Sequence, residues 1–131
     1  MKLLIELWPI AIGGALGAIC RFTISEWASG LTEGDFPVGT LIANVVGCLL
    51  IGVLIGSGKA DTSVHWRLGF GTGFLGALTT FSTFGAETIK ASQDGHWGVA
   101  GMNIGVNLVL GLAAVVAGLW IGKAMSGEHV G

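Results

Sequence analysis

A short stretch in the second half of the chain, residues 79–84, places phenyl rings and hydroxyl groups side by side as TTFSTF. Phe81 and Phe84 are three residues apart, so a helix would put both rings on one face. The edge of a phenyl ring carries partial positive charge. Together with the hydroxyls of Ser82 and Thr83, such edges favour a small anion, and the stretch has no carboxylate to attract a cation. The alternative is that both rings face lipid or fill the protein core.

The residues that precede this stretch weaken the helix that would carry it. Four glycines lie within residues 69–76, and each lowers helix stability by about 1 kcal/mol relative to alanine. Broken backbone at membrane depth must line a cavity or be buried in protein, and the carbonyl oxygens that it frees can coordinate a dehydrated Na⁺. We therefore expect a break in this helix. The alternative is a continuous helix whose Ser and Thr hydroxyls bond to their own carbonyl oxygens.

Three further polar side chains lie within apolar stretches, where polar groups often serve function. Asn44 and Asn107 are each flanked by apolar residues. Each amide has two interpretations, a hydrogen bond between helices or a donor to an ion. Arg21 is the one strongly basic residue inside an apolar stretch. It either extends to the membrane interface or pairs with a polar group near the mouth of a pore.

The elements that must position these residues are four apolar segments, each about long enough to span a bilayer. The chain has 131 residues, of which 52% are hydrophobic and only 11% charged, whereas soluble domains carry about 25% charged residues. We predict an all-α membrane protein with four transmembrane helices in a single domain, residues 1–131, and a break near the middle of the third helix. The predicted spans cover residues 3–27, 36–58, 67–89 and 97–122.

Glycines spaced four residues apart occur in each predicted span. Such pairs let the backbones of membrane helices approach closely, so they predict tight packing rather than a specific function. The pairs are Gly13 and Gly17, Gly52 and Gly56, Gly69 and Gly73, and Gly118 and Gly122.

The basic residues outside the spans give a weak signal for orientation. One side of the predicted bundle has four of them: Lys2, Lys59, Arg67 and Lys123. The other side has Lys90, and also Arg21 if that side chain reaches the interface. Under the positive-inside rule this bias places both termini in the cytoplasm. The difference is small, and a protein that inserts in both orientations would also have it.

The residue content disfavours several classes of function. The net charge is −2 with 6 basic residues, so we expect no nucleic-acid partner. His65, His96 and His129 lie outside the predicted spans, and no enzyme-like set of nucleophile and base is present in the sequence. A small multidrug exporter would need a carboxylate well inside a span, whereas Glu6 and Glu87 lie near span ends. A structural subunit of a larger complex would explain the glycines but not the clustered hydroxyls and rings.

The sequence GALTTFSTF at residues 76–84 resembles the characteristic motif of the Fluc (CrcB) fluoride channels. Three other pieces agree with that family in order and spacing. They are residues 13–18 followed by Arg21 and Phe22, residues 39–41 followed by Asn44 and Gly47, and the pair Gly73 and Phe74. The resemblance covers nearly the whole chain, and the third-helix motif is highly specific.

This resemblance implies a homodimer of two subunits inserted antiparallel, with dual topology, as a multi-pass protein of the cell (inner) membrane. It implies a channel rather than an enzyme, with passive, fluoride-specific efflux that lowers cytoplasmic fluoride and protects the cell. It also implies a structural Na⁺, not transported, held by the main-chain carbonyls of Gly76 and Thr79.

Carried over by position, the resemblance also implies roles for the polar and aromatic residues described above. The fluoride pathway would contain Asn44, Phe81, Phe84, Ser82 and Thr83. Arg21 would lie near the vestibule, and Glu87 near the end of the polar track. The implied partners are therefore fluoride, Na⁺, a second copy of the chain and the lipid bilayer.

The chain departs from the family pattern at two positions. Ala77 replaces the second glycine of the motif, and we expect this to tighten the break without abolishing it. Gly111 takes the place of a pore serine that some members have. Asn107, one helical turn earlier, is expected to supply that polar contact to the fluoride pathway.

Overall fold

The computed structural model describes residues 2–31 and 34–127, and the regular structure in that part of the chain is entirely helical. In chain order the helices are α1 (Lys2–Ser29), α2 (Val38–Gly56), α3 (Lys59–Thr62), a π-helix (Trp66–Leu75), α4 (Gly76–Leu78), α5 (Phe81–Gln93) and α6 (Trp97–Ser126). The all-α prediction is confirmed. The first, second and fourth predicted spans agree with α1, α2 and α6 to within a few residues at each end.

Three of these helices are long and apolar enough to cross a membrane: Glu6–Ser29 within α1, Val38–Gly56 (α2) and Trp97–Ser126 (α6). Large apolar side chains point outward from them. Ile19, Leu112 and Trp120 expose 61%, 68% and 61% of their surface, respectively. Water disfavours so much exposed apolar surface, whereas lipid hydrocarbon does not. The helices therefore indicate a multi-pass membrane protein.

The third predicted span, residues 67–89, consists of several pieces in series. The π-helix and α4 lead to two extended residues, Thr79 and Thr80, after which α5 begins. The predicted break in this span is therefore present. The π-helix before it is wound loosely, because the N–H of Gly76 reaches back five residues to Gly71 O. Ala77 lies two residues before the break and does not abolish it.

Glycines bring α1 and the π-helix into backbone contact. A methyl group added at Gly13 would collide with the carbonyl oxygen of Gly69, and one added at Gly17 would collide with that of Phe74. The two helices can therefore pack at this distance only because neither glycine has a side chain. This contact fixes the first half of the broken span against α1.

A second glycine contact joins α2 to α6. A methyl group added at Gly52 would collide with the carbonyl oxygen of Val115. One added at Gly118 would lie 2.9 Å from the amide nitrogen of Val53. The tight packing predicted from the glycine spacing is thus present at both helix pairs. Because α2 and α6 approach so closely, polar side chains on their facing surfaces can reach one another.

A tight turn positions α6 against α5. Gly95 adopts a φ of 83°, which glycine tolerates far better than other residues. The N–H of His96 then donates to Ala91 O at 2.8 Å. The ring of His96 is exposed and lies outside the spans, as predicted. Its Nδ1 lies 3.0 Å from Asp35 Oδ2. His129 lies outside the described residues. The turn and the loop before α2 are therefore held together at the same end of the bundle.

Replacement of Gly118 by alanine should destabilise the fold, because the added methyl group meets backbone atoms of α2 that cannot rotate away. We expect a cost of about 1–3 kcal/mol, typical of overpacking. The measurement is thermal unfolding of purified protein in detergent, followed by loss of the size-exclusion peak.

Gly98→Ala is the matched control, because this glycine of α6 has no atom within 4 Å of an added methyl group. Equal melting temperatures for the two variants would contradict the packing described here.

Candidate functional site

The break in the third span is held open by a side chain of α2. Thr79 has φ −81° and ψ 150°, and Thr80 has φ −147° and ψ 108°, so both are extended. The N–H of Thr80 donates to Asn44 Oδ1 at 2.8 Å. In a continuous helix that N–H would have donated to the carbonyl of Gly76. The amide of Asn44 thus replaces a helical hydrogen bond and stabilises the break.

The break changes the partners of several main-chain carbonyls. Ala77 O accepts a hydrogen bond of 3.0 Å from Arg21 Nε. The half-buried Arg21 therefore pairs with a polar group at the break, which is one of the two possibilities left open by the sequence. In a continuous helix, Gly76 O would accept from the N–H of Thr80 and Thr79 O from the N–H of Thr83. Here these two N–H groups donate instead to Asn44 Oδ1 and to the hydroxyl of Thr80. Both carbonyl oxygens consequently lose their usual helical donors.

Hydroxyl groups cap the helix that begins after the break. Thr80 Oγ1 accepts from the N–H of Thr83 at 3.2 Å, as an N-cap residue does. It also donates to Thr83 Oγ1 at 2.9 Å and lies 3.3 Å from Ser82 Oγ. The N-terminus of α5, which carries partial positive charge, is therefore located at the break and surrounded by hydroxyls.

A chain of side-chain amides connects the break to α6. Asn44 Nδ2 donates to Asn107 Oδ1 at 3.1 Å. Asn107 Nδ2 donates in turn to Asn103 Oδ1 at 2.8 Å, and Asn103 Nδ2 donates to Thr88 Oγ1 at 2.8 Å. The hydroxyl of Thr88 completes the chain by donating to Phe84 O at 2.7 Å. These bonds join α2, α6 and α5.

Asn103 and Thr88 were not predicted from the sequence. Both are buried, with 1% and 8% of their surface exposed. A signal for Asn103 was available, since it lies one helical turn before Asn107 and therefore on the same face of α6. Thr88 gives no comparable signal, because a threonine near a span end is common.

An open groove of about 440 Å³ lies beside the first two amides of this chain, those of Asn44 and Asn107. Six of the predicted site residues line it: Asn44, Gly76, Thr79, Phe81, Phe84 and Asn107. The ring centroids of Phe81 and Phe84 are 5.5 Å apart at an interplanar angle of 48°. Phe81 is 82% exposed. The structure thus brings together most of the residues predicted for the site, with Ser82 and Thr83 beside the groove through their contacts with Thr80.

Glu87 lies at a distance from this groove, near the N-terminus of α2. Its Oε1 accepts a hydrogen bond of 2.8 Å from Thr40 Oγ1, and Thr40 itself is buried. Within the described residues, Glu87 Oε2 is a buried oxygen without a hydrogen-bond partner. Both side chains line a second cavity of about 270 Å³, together with Ser25 and Asp35. The sequence predicted Glu87 but not Thr40.

The sequence matches known proteins over most of its length. Residues 8–119 match the family described as "CrcB-like protein, Camphor Resistance (CrcB)". A protein of Acidobacterium capsulatum named "Fluoride-specific ion channel FluC" is 46% identical over 119 residues, which are 89% of this chain and 94% of that protein. A protein of the same name from a Nitratiruptor species is 43% identical over 121 residues, covering 92% of this chain and 94% of the relative.

Replacement of Arg21 by methionine should lower the melting temperature, because it removes the donor to Ala77 O and leaves that carbonyl unpaired. We expect a cost of about 1–3 kcal/mol, typical of a buried polar group without a partner. The measurement is the same thermal unfolding in detergent.

Arg67→Met is the control, since it removes the same charge from an exposed side chain at the start of the π-helix. If both variants melt at the wild-type temperature, the contact between Arg21 and Ala77 does not support the break.

Proposed function

This chain belongs to the CrcB family, and from that premise we propose that it is a fluoride-specific ion channel that lets fluoride leave the cytoplasm passively. Its relatives are named as such channels. The observation that carries the proposal is the break at Thr79 and Thr80, which places hydrogen-bond donors and phenyl rings along one groove. Efflux through this groove would lower cytoplasmic fluoride and so protect the cell from its toxicity.

The chemistry of the groove fits a small, strongly hydrated anion. Such an ion enters a narrow pore only if close donors replace its water. The amide of Asn44 and the hydroxyls beside Thr80 are donors of this kind. The rings of Phe81 and Phe84 add edges with partial positive charge, and this charge does not depend on protonation.

The charges near the groove support conduction rather than tight binding. The N-terminus of α5 contributes partial positive charge through its main-chain amides. Arg21 carries a full positive charge, but its Nε is bonded to Ala77 O, and the side chain is not among those that line the groove. An anion in the groove would therefore meet partial charges, which hold it weakly enough to let it leave again. In this proposal Arg21 lies near the vestibule, and the pair of Glu87 and Thr40 lies near the end of the track.

The proposed assembly is an antiparallel, dual-topology homodimer in the inner membrane. In each subunit the broken third span would cross the membrane together with α1, α2 and α6. The groove is open on one side in the single chain, and its exposed rim includes Phe81. A second copy packed on this side would enclose the pathway and separate it from lipid. The small difference in basic residues between the two sides of the bundle suits insertion in either orientation.

The proposed structural Na⁺ would be held by the main-chain oxygens of Gly76 and Thr79. Both residues line the groove, and both carbonyls have lost their usual helical donors. Within the described residues, no group of three His, Cys, Asp or Glu side chains could hold a metal ion. Neutral carbonyl oxygens are the ligands that Na⁺ uses in broken membrane helices, so the residues at the break fit this ion.

Purified protein in liposomes should discharge a fluoride gradient and leave a chloride gradient intact. The vesicles are loaded with the potassium salt of either halide, valinomycin opens a path for K⁺, and an ion-selective electrode records anion efflux. Phe81→Ala should lower the fluoride rate by about tenfold or more, since it removes a ring edge from the groove.

Phe22→Ala provides the control, because it truncates an exposed ring of α1 that does not line the groove. Equal fluoride and chloride rates in the wild type would defeat the proposed function. A wild-type fluoride rate in Phe81→Ala would instead remove this ring from the pathway.

Replacement of Na⁺ by K⁺ at constant ionic strength should lower the melting temperature of the detergent-solubilised dimer by a few degrees. A ligand that binds only the assembled state stabilises it by mass action, and K⁺ is too large to substitute closely for Na⁺ in a site of fixed size. Multi-angle light scattering reports the dimer mass in each buffer. A monomer in both buffers would contradict the proposed assembly, and identical melting curves would contradict the proposed Na⁺.

A further inference from the structure

We infer that Asn103 is a positioning residue for the anion pathway: its side chain holds the Asn107 amide, which in turn holds the nitrogen end of Asn44 while the N–H of Thr80 holds its oxygen. The inference rests on the proposed function as a fluoride channel. Together, the contacts with Thr80 and Asn107 keep Asn44 in the orientation that presents an N–H group, rather than a carbonyl oxygen, to the groove. Asn103 itself touches no ion, because only 1% of its surface is exposed.

The orientation of Asn107 follows from the number of its donors. Its side-chain NH₂ group has two hydrogens, and both are used on Asn103. One is donated to the main-chain oxygen of Asn103 at 3.0 Å and the other to its Oδ1 at 2.8 Å. The oxygen of Asn107 must then face the other way, toward Asn44. Although Asn107 lines the groove, it has no N–H left to donate to an ion.

The orientation of Asn44 follows in the same way. Its Oδ1 accepts from the N–H of Thr80, and its Nδ2 gives one hydrogen to Asn107 Oδ1. No acceptor for the second hydrogen is present within the described residues, and the side chain lines the groove. That N–H is therefore available to an anion. In the reversed amide, the oxygen of Asn44 would face the groove and repel the ion.

Asn103 is in turn held by α5. The hydroxyl proton of Thr88 is donated to Phe84 O, so Thr88 Oγ1 offers only lone pairs to Asn103. Asn103 must direct its NH₂ group there and its oxygen toward Asn107. Each member of the chain thus donates to the next, from Asn44 to Phe84. Main-chain groups set this direction at both ends: the N–H of Thr80 at Asn44 and the carbonyl of Phe84 at Thr88.

The inference also accounts for the glycine at position 111. Gly111 is buried on α6 and has no side chain, and the donors of Asn107 are already used. In this chain α6 therefore contributes no direct donor to the groove. Its contribution is to hold the amide of the neighbouring α2 residue, Asn44, which is the donor.

Single-channel recording in planar lipid bilayers tests this role, because the current through one open channel does not depend on how many molecules fold. Asn103→Leu keeps the size of the side chain but removes the Oδ1 acceptor for Asn107, which keeps only the main-chain oxygen of residue 103. We expect the unitary fluoride current to fall about tenfold, the effect of losing one oriented hydrogen bond. The fluoride-to-chloride permeability ratio should fall with it.

Asn103→Asp is the conservative variant. When protonated, its carboxyl group can accept from Asn107 and donate to Thr88, as the asparagine does. We expect a near wild-type unitary current at acidic pH and a decreasing current as the pH rises and the carboxyl group ionises, while the wild type stays constant over the same range. A wild-type current in Asn103→Leu, or no recovery of Asn103→Asp at any pH, would overturn the inference.

Thr88→Val tests the same chain if Asn103→Leu does not assemble. It preserves shape and removes the lone pairs that hold Asn103, so the unitary fluoride current should fall at least about twofold. An unchanged current would overturn the inference. Failure of the wild type to conduct fluoride would be a failure of the proposed function instead, and the two results are distinguishable in one set of recordings.

Discussion

The structure depends on one constraint: a main-chain polar group within the hydrocarbon of a membrane needs a partner from the protein or from what the protein binds. At Thr79 and Thr80 the helical hydrogen bonds that usually satisfy this constraint are missing. The main-chain groups at the break therefore need other partners. Asn44 meets it for the amide of Thr80, and Arg21 meets it for the carbonyl of Ala77. The other main-chain groups at the break are of two kinds. Carbonyl oxygens lie at the C-terminus of α4, and amide N–H groups lie at the N-terminus of α5. In the proposal above, one interruption would therefore offer carbonyl oxygens to a cation and main-chain amides to an anion.

Holding such a break requires rigid neighbours, and the glycines provide them. α1 packs on the π-helix, and α2 packs on α6, at distances that exclude even a methyl group. These contacts fix both the half-span before the break and the helix that carries Asn44. Without a hydrophobic driving force between helices in lipid, close packing and side-chain hydrogen bonds are the main remaining sources of cohesion. The glycines weaken each helix on its own, but they also allow the close helix contacts that hold the broken third span in place.

Much of this architecture was predictable from the sequence, because length, apolar composition and glycine spacing act locally. The spans that became α1, α2 and α6 and the break all follow from such local patterns. The sequence left the partner of Arg21 open between the membrane interface and a polar group. Asn103, Thr88 and Thr40 were missed, because their roles depend on which helices become neighbours. The π-helix was also missed, since loose winding at the glycines depends on the contact with α1. The predicted sodium and fluoride ligands, the dimer and its dual topology stay predictions.

The two interpretations of Asn44 are compatible with one arrangement. A side-chain amide has one oxygen and two N–H groups, so it can make hydrogen bonds between helices and still donate to an ion. The contacts to Thr80 and Asn107 use the oxygen and one hydrogen, and they determine where the remaining hydrogen points. The structural role therefore does not compete with the proposed ion-binding role, because the same contacts would orient the donor. A hydroxyl at this position could rotate between donating and accepting, whereas an amide fixed at both ends presents a constant polarity to the groove.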